Sequence, residues 1–252
     1  LVVERRQLIQ TSENPPVNEP NPIKLSIIIP ALNEARGIER LLHSLSPLRA
    51  NGVEVIVIDG GSEDGTFEIA RPLTDQIEKT PRGRAVQMNA GAALAQGQTL
   101  LFLHADSVLP EDADILLASE LARTKRVWGR FDIKIDSTHP VLMLVALMIN
   151  LRTRLTGIAT GDQAIFVRSD VFRAVGGYPE IPLMEDIALS KSLRAKSRPA
   201  SIANKVVTSA RRWQNQGIFR TIFLMWRLRL AYFLGSDPQE LLRLYEGKPR
   251  GT

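Results

Sequence analysis

The stretch "VEVIVIDGGSEDGT" (residues 53–66) decides the fold. Five apolar, β-branched residues, interrupted only by Glu54, lead to an aspartate. A Gly-rich turn follows, and then a helical pattern near residues 66–71. A strand with no polar alternation is covered on both faces, which is the habit of parallel sheets. Its neighbours repeat the rhythm. "KLSIIIP" (24–30) reads as a strand, followed by a helix over "ARGIERLLHSLSPL" (35–48) with Ile38, Leu41, Leu42 and Leu45 on one face. "GRAVQMNAGAALAQ" (83–96) is rich in helix formers, and "TLLFLHA" (99–105) is the next strand. The β-α-β-α order predicts an α/β fold with a Rossmann-like, mostly parallel central sheet covered by helices. Ligands of such sheets sit at the carboxyl ends of the strands.

The second half is less regular. "RFDIKID" (130–136) alternates like a half-exposed strand, and "HPVLMLVALMINLRTRL" (139–155) reads as a long apolar helix. "GDQAIFVRSDVFRAVGG" (161–177) reads as a strand and a helix stopped by two glycines, and "PLMEDIALSKSLRAKS" (182–197) begins another helix. Three units follow: a flexible, proline-rich lead over 1–23, a main domain over 24–215, and an apolar, basic helical segment over 216–252.

Composition excludes several functions. The 252 residues contain no cysteine, which removes disulfides and thiol catalysis and fits a reducing compartment. No signal peptide is read in "LVVERRQLIQ". The longest apolar run, "VLMLVALMI" (141–149), is far short of the ~20 residues of a spanning helix. A cytoplasmic location is expected. The net charge is +5, yet residues 191–229 hold ten lysines and arginines and no acid, so the rest of the chain is net acidic. A basic segment of this kind points to an anionic partner. Without zinc-finger, RNP-like or OB-like signatures, nucleic acid is not expected to be that partner.

Three polar clusters stand at element ends. The first is Asp59 with Ser62 and Asp64, on a loop whose glycines admit tight turns. It lacks the order of a dinucleotide fingerprint and has no Gly-Lys-Ser/Thr of a P-loop, so it is either a ligand loop or a solvated turn. The second is "LHADS" (103–107), where His104 and Asp106 could hold one Mn²⁺ or Mg²⁺ completed by phosphate oxygens and water. Alternatively, His104 is hydrogen-bonded at a sheet edge. The third is Glu185 with Asp186: adjacent on a helix, they point about 100° apart. One would act as a base while the other braces the loop, or both favour the helix N-terminus. Arg82 and Arg84, before a helix, meet a diphosphate or solvent.

Taken in order, "SIIIPALNEARGI", "VEVIVIDGGSEDGT", "PRGRAVQMNAGAALAQGQTLLFLHADSVLP", "GDQAIFVRSDVFRAVGGYPE" and "LMEDIALSKSLR" resemble an inverting glycosyltransferase of family 2 with the GT-A fold. The longer pattern is similar to a bacterial subgroup of small members with a His-Ala-Asp metal motif. The resemblance implies roles. Pro30, Ala31, Asn33 and Glu34 would line a nucleotide pocket, with Glu34 near the ribose. Asp59 would accept from the uracil ring, with Ser62 and Asp64 closing the loop. Arg82, Gly83 and Arg84 would lie by the nucleoside or diphosphate. His104, Ala105 and Asp106 take the place of the family's Asp-x-Asp, with Asp106 as principal metal ligand and His104 replacing the first aspartate. Gly161, Asp162 and Gln163 would shape the acceptor side, and Asp186 matches the catalytic base.

Arg212 and Trp213 of "SARRW" loosely resemble the Q-x-x-R-W of processive members, with Ser209 where the glutamine would be. That departure disfavours a polysaccharide-extruding synthase. The implied donor is a nucleotide sugar, UDP-linked. The acceptor would be a hydroxyl on a lipid or a small molecule. The C-terminal segment "GIFRTIFLMWRLRLAYFLG" (217–235) would rest peripherally on an anionic membrane from the cytoplasmic side, pack as core, or join a homo-oligomer. Two other readings stand beside the transferase. One is a nucleotidyltransferase that makes sugar nucleotides, and the other is a non-catalytic module that binds sugar nucleotides or lipids.

Overall fold

β-branched runs flanked by helix formers give the alternation expected, in a computed structural model describing residues 24–246. The expected lead over 1–23 lies outside the described residues. In chain order come β1 (Leu25–Ala31), α1 (Ala35–Ser44), α2 (Ser46–Ala50), β2 (Glu54–Asp59), α3 (Thr66–Ala70), β3 (Gln76–Lys79), α4 (Arg84–Leu94) and β4 (Thr99–Phe102). Next are β5 (Ser107–Val108), α5 (Ala113–Thr124), β6 (Trp128–Ile135), α6 (Pro140–Thr156), β7 (Phe166–Arg168), α7 (Ser169–Ala174) and α8 (Glu185–Arg194). The described chain closes with β8 (Ala200–Thr208), α9 (Arg211–Gln216), α10 (Ile218–Phe233) and α11 (Pro238–Glu246).

The strands form one eight-stranded sheet in the order β3-β2-β1-β4-β7-β6-β8-β5. β1 runs parallel to β2 and β4, and β2 parallel to β3. β7 is antiparallel to both β4 and β6, while β6 and β8 are parallel. The fold class is therefore the expected one: a curled, mostly parallel mixed sheet wrapped by helices, with a helical C-terminal extension.

Period-two alternation splits the apolar strands between two cores. Ile27, Ile29, Val55 and Val57 pack under α1 with Ile38, Leu41, Leu42 and Leu45. Ile28, Ile56 and Ile58 face the other way, against Ala85 and Met88 of α4 and Leu189 and Leu193 of α8. Each such side chain contributes about 1.5–3 kcal/mol by leaving water. α4 lies so close that a Cβ on Gly91 would meet Ile28 Cγ2 at 2.4 Å, which explains the glycine in this helix.

Two expectations are corrected. The expected helix over 35–48 is two helices, broken at Leu45. The expected half-exposed strand in β6 is buried at every position but Lys134: α6 packs Leu142 and Ala146 on Ile133 and Ile135, and its Asn150 carbonyl and Arg154 meet Arg130 and Asp132. Arg130 and Asp132 are tolerated there as an ion pair. Asn150 of α6 completes the join, its amide donating to the Ile133 carbonyl and accepting from the Ile133 N–H.

α6 is amphipathic in an unusual sense. Leu142, Ala146, Asn150 and Thr153 are buried, while Met143, Leu147, Leu151 and Leu155, spaced four apart, are exposed. α10 likewise exposes Phe219, Phe223, Trp226, Leu230 and Phe233 along one stripe, and buries Leu228 against Ile187 and Leu241. Among the described residues, no helix is long and apolar enough to cross a membrane.

Candidate active site

The carboxyl ends of β1 and β4 open onto a cleft of about 2050 Å³. A single small-ligand pocket occupies roughly 300–1,000 Å³, so this cleft has room for two reactants. Of the residues singled out in the sequence, Pro30, Ala31, Glu34, Arg82, Gly83, Arg84, His104, Ala105, Asp106, Asp162, Glu185, Arg212 and Trp213 line it. Asn33, Asp59, Ser62, Asp64, Gly161, Gln163 and Asp186 stand outside that lining and brace it.

The loops after β1 and β2 hold each other. The Asn33 N–H donates to Ser62 Oγ at 2.9 Å, Asn33 Oδ1 accepts from the Glu63 N–H, and Asp64 Oδ2 accepts from the Ala35 N–H. Asp59 is fully buried; its Oδ1 accepts from the Gly61 and Ser62 N–H groups at 2.7 Å. Its Oδ2 is buried with no partner among the described residues. Gln87 of α4 donates to the carbonyls of Ala31 and Ile58, fixing the ends of β1 and β2 beneath the cleft.

Four carboxylates surround Arg84, at the start of α4. Burial opposes its charge, but Glu185, Asp186, Asp162 and Asp106 together outweigh that and raise its pKa. Glu185 is buried and lies 3.5 Å from the Arg84 guanidinium. Burial first, then the Asp186 charge, push the Glu185 carboxyl up to about 7, with Arg84 pulling the other way. Asp186 is also raised, chiefly by burial. Its Oδ2 accepts from the Gly161 N–H at 2.8 Å and its Oδ1 from the Ile187 N–H. The two adjacent carboxylates thus serve different neighbours, as their helical offset requires.

β4 ends at Phe102, so His104 and Asp106 leave the sheet on a turn and do not stand on the strand itself. Ala105 is buried between them. His104 Nδ1 faces Asp162 Oδ1 at 3.7 Å, and its buried Nε2 has no hydrogen-bond partner among the described residues. Burial, helped by the Arg84 charge, pulls the His104 pKa down to about 4, so the ring is neutral at pH 7. It packs against Gly161, where a Cβ would come within 2.5 Å of Nε2.

Among the described residues no three histidines and carboxylates converge on a metal position. Asp106, however, lines the cleft with only a 3.5 Å contact to Ser107 Oγ. One available carboxylate suits an ion whose remaining ligands come from a diphosphate and water, as for Mg²⁺ bound with a nucleotide.

Sequence reasoning missed several cleft residues. Arg211 donates to Glu34 Oε2 at 2.7 Å, closing the cleft between positions 177 residues apart. Arg152 of α6 and Arg229 of α10 line it too, with Leu144, Met148, Phe223 and Trp226. The only advance signal for Arg211 was its place in "SARRW"; Arg152 and Arg229 carried none beyond lying in apolar helices.

An α/β sheet with carboxylates and arginines gathered at its strand ends defines a protein with a polar ligand cleft at that edge, and the sequence relationship is more specific. The glycosyl transferase family 2 profile matches residues 26–174, and the chain belongs to that family. It is 39% identical over 170 residues to a PGL/p-HBAD biosynthesis glycosyltransferase of Mycobacterium bovis, covering 61% of this chain and 62% of the relative. The chain therefore spans less than two thirds of that relative's length. Its fold is similar to S. aureus TarS 1–349 in complex with UDP, at a TM-score of 0.63 and 20% identity over 74% of this chain and 60% of the other. It is also similar to the mannosyltransferase PcManGT from Pyrobaculum calidifontis in complex with GDP-Man and Mn²⁺. There the TM-score is 0.60 and identity 21%, over 89% of this chain and 71% of the other.

Proposed function

We propose that the protein is an inverting glycosyltransferase that moves a sugar from a nucleotide sugar, UDP-linked, to an acceptor hydroxyl. The observation that carries this reading is the placement of Asp106, Arg84 and Glu185 around one cleft at the strand ends, with Asp186 just behind its wall on the Gly161 N–H. Residues 24–215 form the catalytic unit, and residues 216–252 a separate C-terminal segment whose described part, 216–246, packs beside it. The UDP in the TarS complex and the GDP-Man and Mn²⁺ in the PcManGT complex support the choice of donor and divalent ion.

The nucleoside lies against Pro30, Ala31, Asn33 and Glu34, with Asp59, braced by the Ser62 and Asp64 loop, accepting from the base. The diphosphate meets Arg82 and Arg84 at the α4 N-terminus, where backbone N–H groups and the helix dipole favour an anion. Asp106 is the protein ligand of Mn²⁺ or Mg²⁺. His104 is the second candidate ligand, through the Nδ1 that faces Asp162. When bound, the ion supplies charge neutralisation on the departing diphosphate.

On the acceptor side, Gly161, Asp162, Gln163, Arg212 and Trp213 shape the approach. Asp186 takes the hydroxyl proton as the new C–O bond forms and the bond to the diphosphate breaks. Its raised pKa suits that task, since burial makes the carboxylate a better proton acceptor. Glu185 holds Arg84 in register. The exposed stripes of α6 and α10, with the exposed Arg220 and Arg227 on α10, support a peripheral seat of the cleft mouth on an anionic membrane, within reach of a lipid acceptor.

The test is nucleoside diphosphate release from a panel of sugar nucleotides, with and without Mn²⁺ and lipid extract. Release of UDP supports the transferase; release of pyrophosphate identifies a nucleotidyltransferase. Asp186→Asn should cost about 10²–10⁴ in turnover with nucleotide affinity nearly unchanged. Wild-type turnover in D186N, with loss in Glu185→Gln, would move the base to Glu185.

A further inference from the structure

Several arginines line the cleft. Arg84 lies 3.5 Å from Glu185 at the start of α4, on the side given above to the donor diphosphate. Arg152 of α6 and Arg229 of α10 line it as well, and both act on Asp186.

Among the described residues Arg152 has no ion-pair partner, and its Nε and Nη2 are buried without a hydrogen-bond partner. Nearby acids are committed elsewhere: Asp132 to Arg130 and Arg154, and Asp186 to the Gly161 and Ile187 N–H groups. Asp162 faces His104. Burial, then the Arg229 charge, lower the Arg152 pKa to about 10, which leaves it protonated at neutral pH. Two of its three guanidinium nitrogens are thus out of water without a partner while the side chain faces the cleft; that is costly, and a bound anion removes the cost.

We propose that Arg152 and Arg229 form a subsite for a phosphate ester carried by the acceptor, beside the base. The inference rests on the transferase reading, because it assigns this end of the cleft to the acceptor. An arginine fork suits a phosphate, giving paired charge-assisted hydrogen bonds. Leu144, Met148 and Phe223 line the same cleft, so an alkyl chain attached to the phosphate would also find apolar surface.

The experiment is calorimetric titration of the full chain, saturated with UDP, with hexyl phosphate, inorganic phosphate and hexanol. Hexyl phosphate should bind and hexanol should not. Arg152→Gln should weaken the phosphate probe roughly 10–100-fold, as should Arg229→Gln, with UDP affinity unchanged. Arg152→Lys, which keeps the charge, should retain most of the binding and guards against a folding artefact in R152Q. Tighter binding of hexyl phosphate than of inorganic phosphate supports the subsite and assigns a lipid phosphate. Equal binding supports it with a soluble phosphorylated acceptor. Absence of phosphate binding, or binding that R152Q and R229Q both leave unchanged, overturns the subsite. Failure of UDP to bind strikes the transferase reading instead, and the same titration without nucleotide still decides the subsite.

Discussion

Gly161→Ala tests the joint between the two halves of the cleft. The added Cβ would lie 2.5 Å from His104 Nε2 and 2.7 Å from Cε1, closer than non-bonded atoms tolerate. Gly161 does not sit at positive φ, so alanine meets no backbone penalty there. The cost is contact alone. His104 is confined by burial and by Asp162, so the turn carrying residue 161 must give way. Overpacking of this kind costs about 1–3 kcal/mol. At about 2 kcal/mol, a chain of 252 residues should lose about 4–8 °C in Tm.

The same displacement draws the Gly161 N–H away from Asp186 Oδ2, now at 2.8 Å. Loss of that orientation should lower turnover about 10–100-fold, read as nucleoside diphosphate release. His104→Ala removes the ring and should restore room for the methyl. The double variant should then melt close to H104A, with a coupling energy of about 1–2 kcal/mol. The reasoning fails if G161A melts with the wild type, or if the two substitutions are additive within about 0.5 kcal/mol.

Two further outcomes follow from charge and exposure. Glu185 is raised from 4.5 to about 7, so the folded chain holds its proton longer than the unfolded one, and this group's contribution to stability falls as pH rises across that range. His104 is lowered from 6.5 to about 4, so its contribution rises with pH over its own range. Each amounts to about 3 kcal/mol across its window, and they oppose each other from pH 4.5 to 6.5. Urea denaturation against pH should therefore show E185Q gaining slope, and H104A losing it, relative to the wild type; parallel curves would refute the pairing. Trp226→Glu, at a residue 70% exposed, should change stability by no more than about 0.5 kcal/mol. It should abolish sedimentation with phosphatidylglycerol vesicles, which in the wild type weakens with salt; no wild-type binding at low or high salt would remove the membrane proposal.

The elements legible in the sequence are those whose environment is uniform. β1 and β2 are covered on both faces and read as unbroken apolar runs, and α1 buries one clean face. β8 was missed because "ASIANKVVT" interrupts its apolar residues with Asn204 and Lys205, at the register shift against β6. The carboxylates of the site were legible because they end strands or begin helices. Arg152 and Arg229 were not, because an arginine in an apolar helix has the same pattern whether it faces solvent or a cleft. Only the packing of α6 on β6, and of α10 beside α8, decides between them.

Backbone conformation adds what residue type conceals. Four non-glycine residues have positive φ, and three of them, Asn33, Ala164 and Met184, adjoin segments that build the cleft. The fourth, Lys125, only closes α5. Asparagine accepts this region readily, whereas alanine and methionine are held there against a cost of order 1–3 kcal/mol. Met184 is also buried with Ile158, Ile187 and Leu228, and that packing offsets the cost. The left-handed turn at Met184 starts α8 so that its first residue meets Arg84 and its second meets Gly161. A helix entered without that turn would approach along a different path, and the two carboxylates would lose one partner or the other. The division of labour between Glu185 and Asp186 is therefore set by a residue with no polar chemistry of its own.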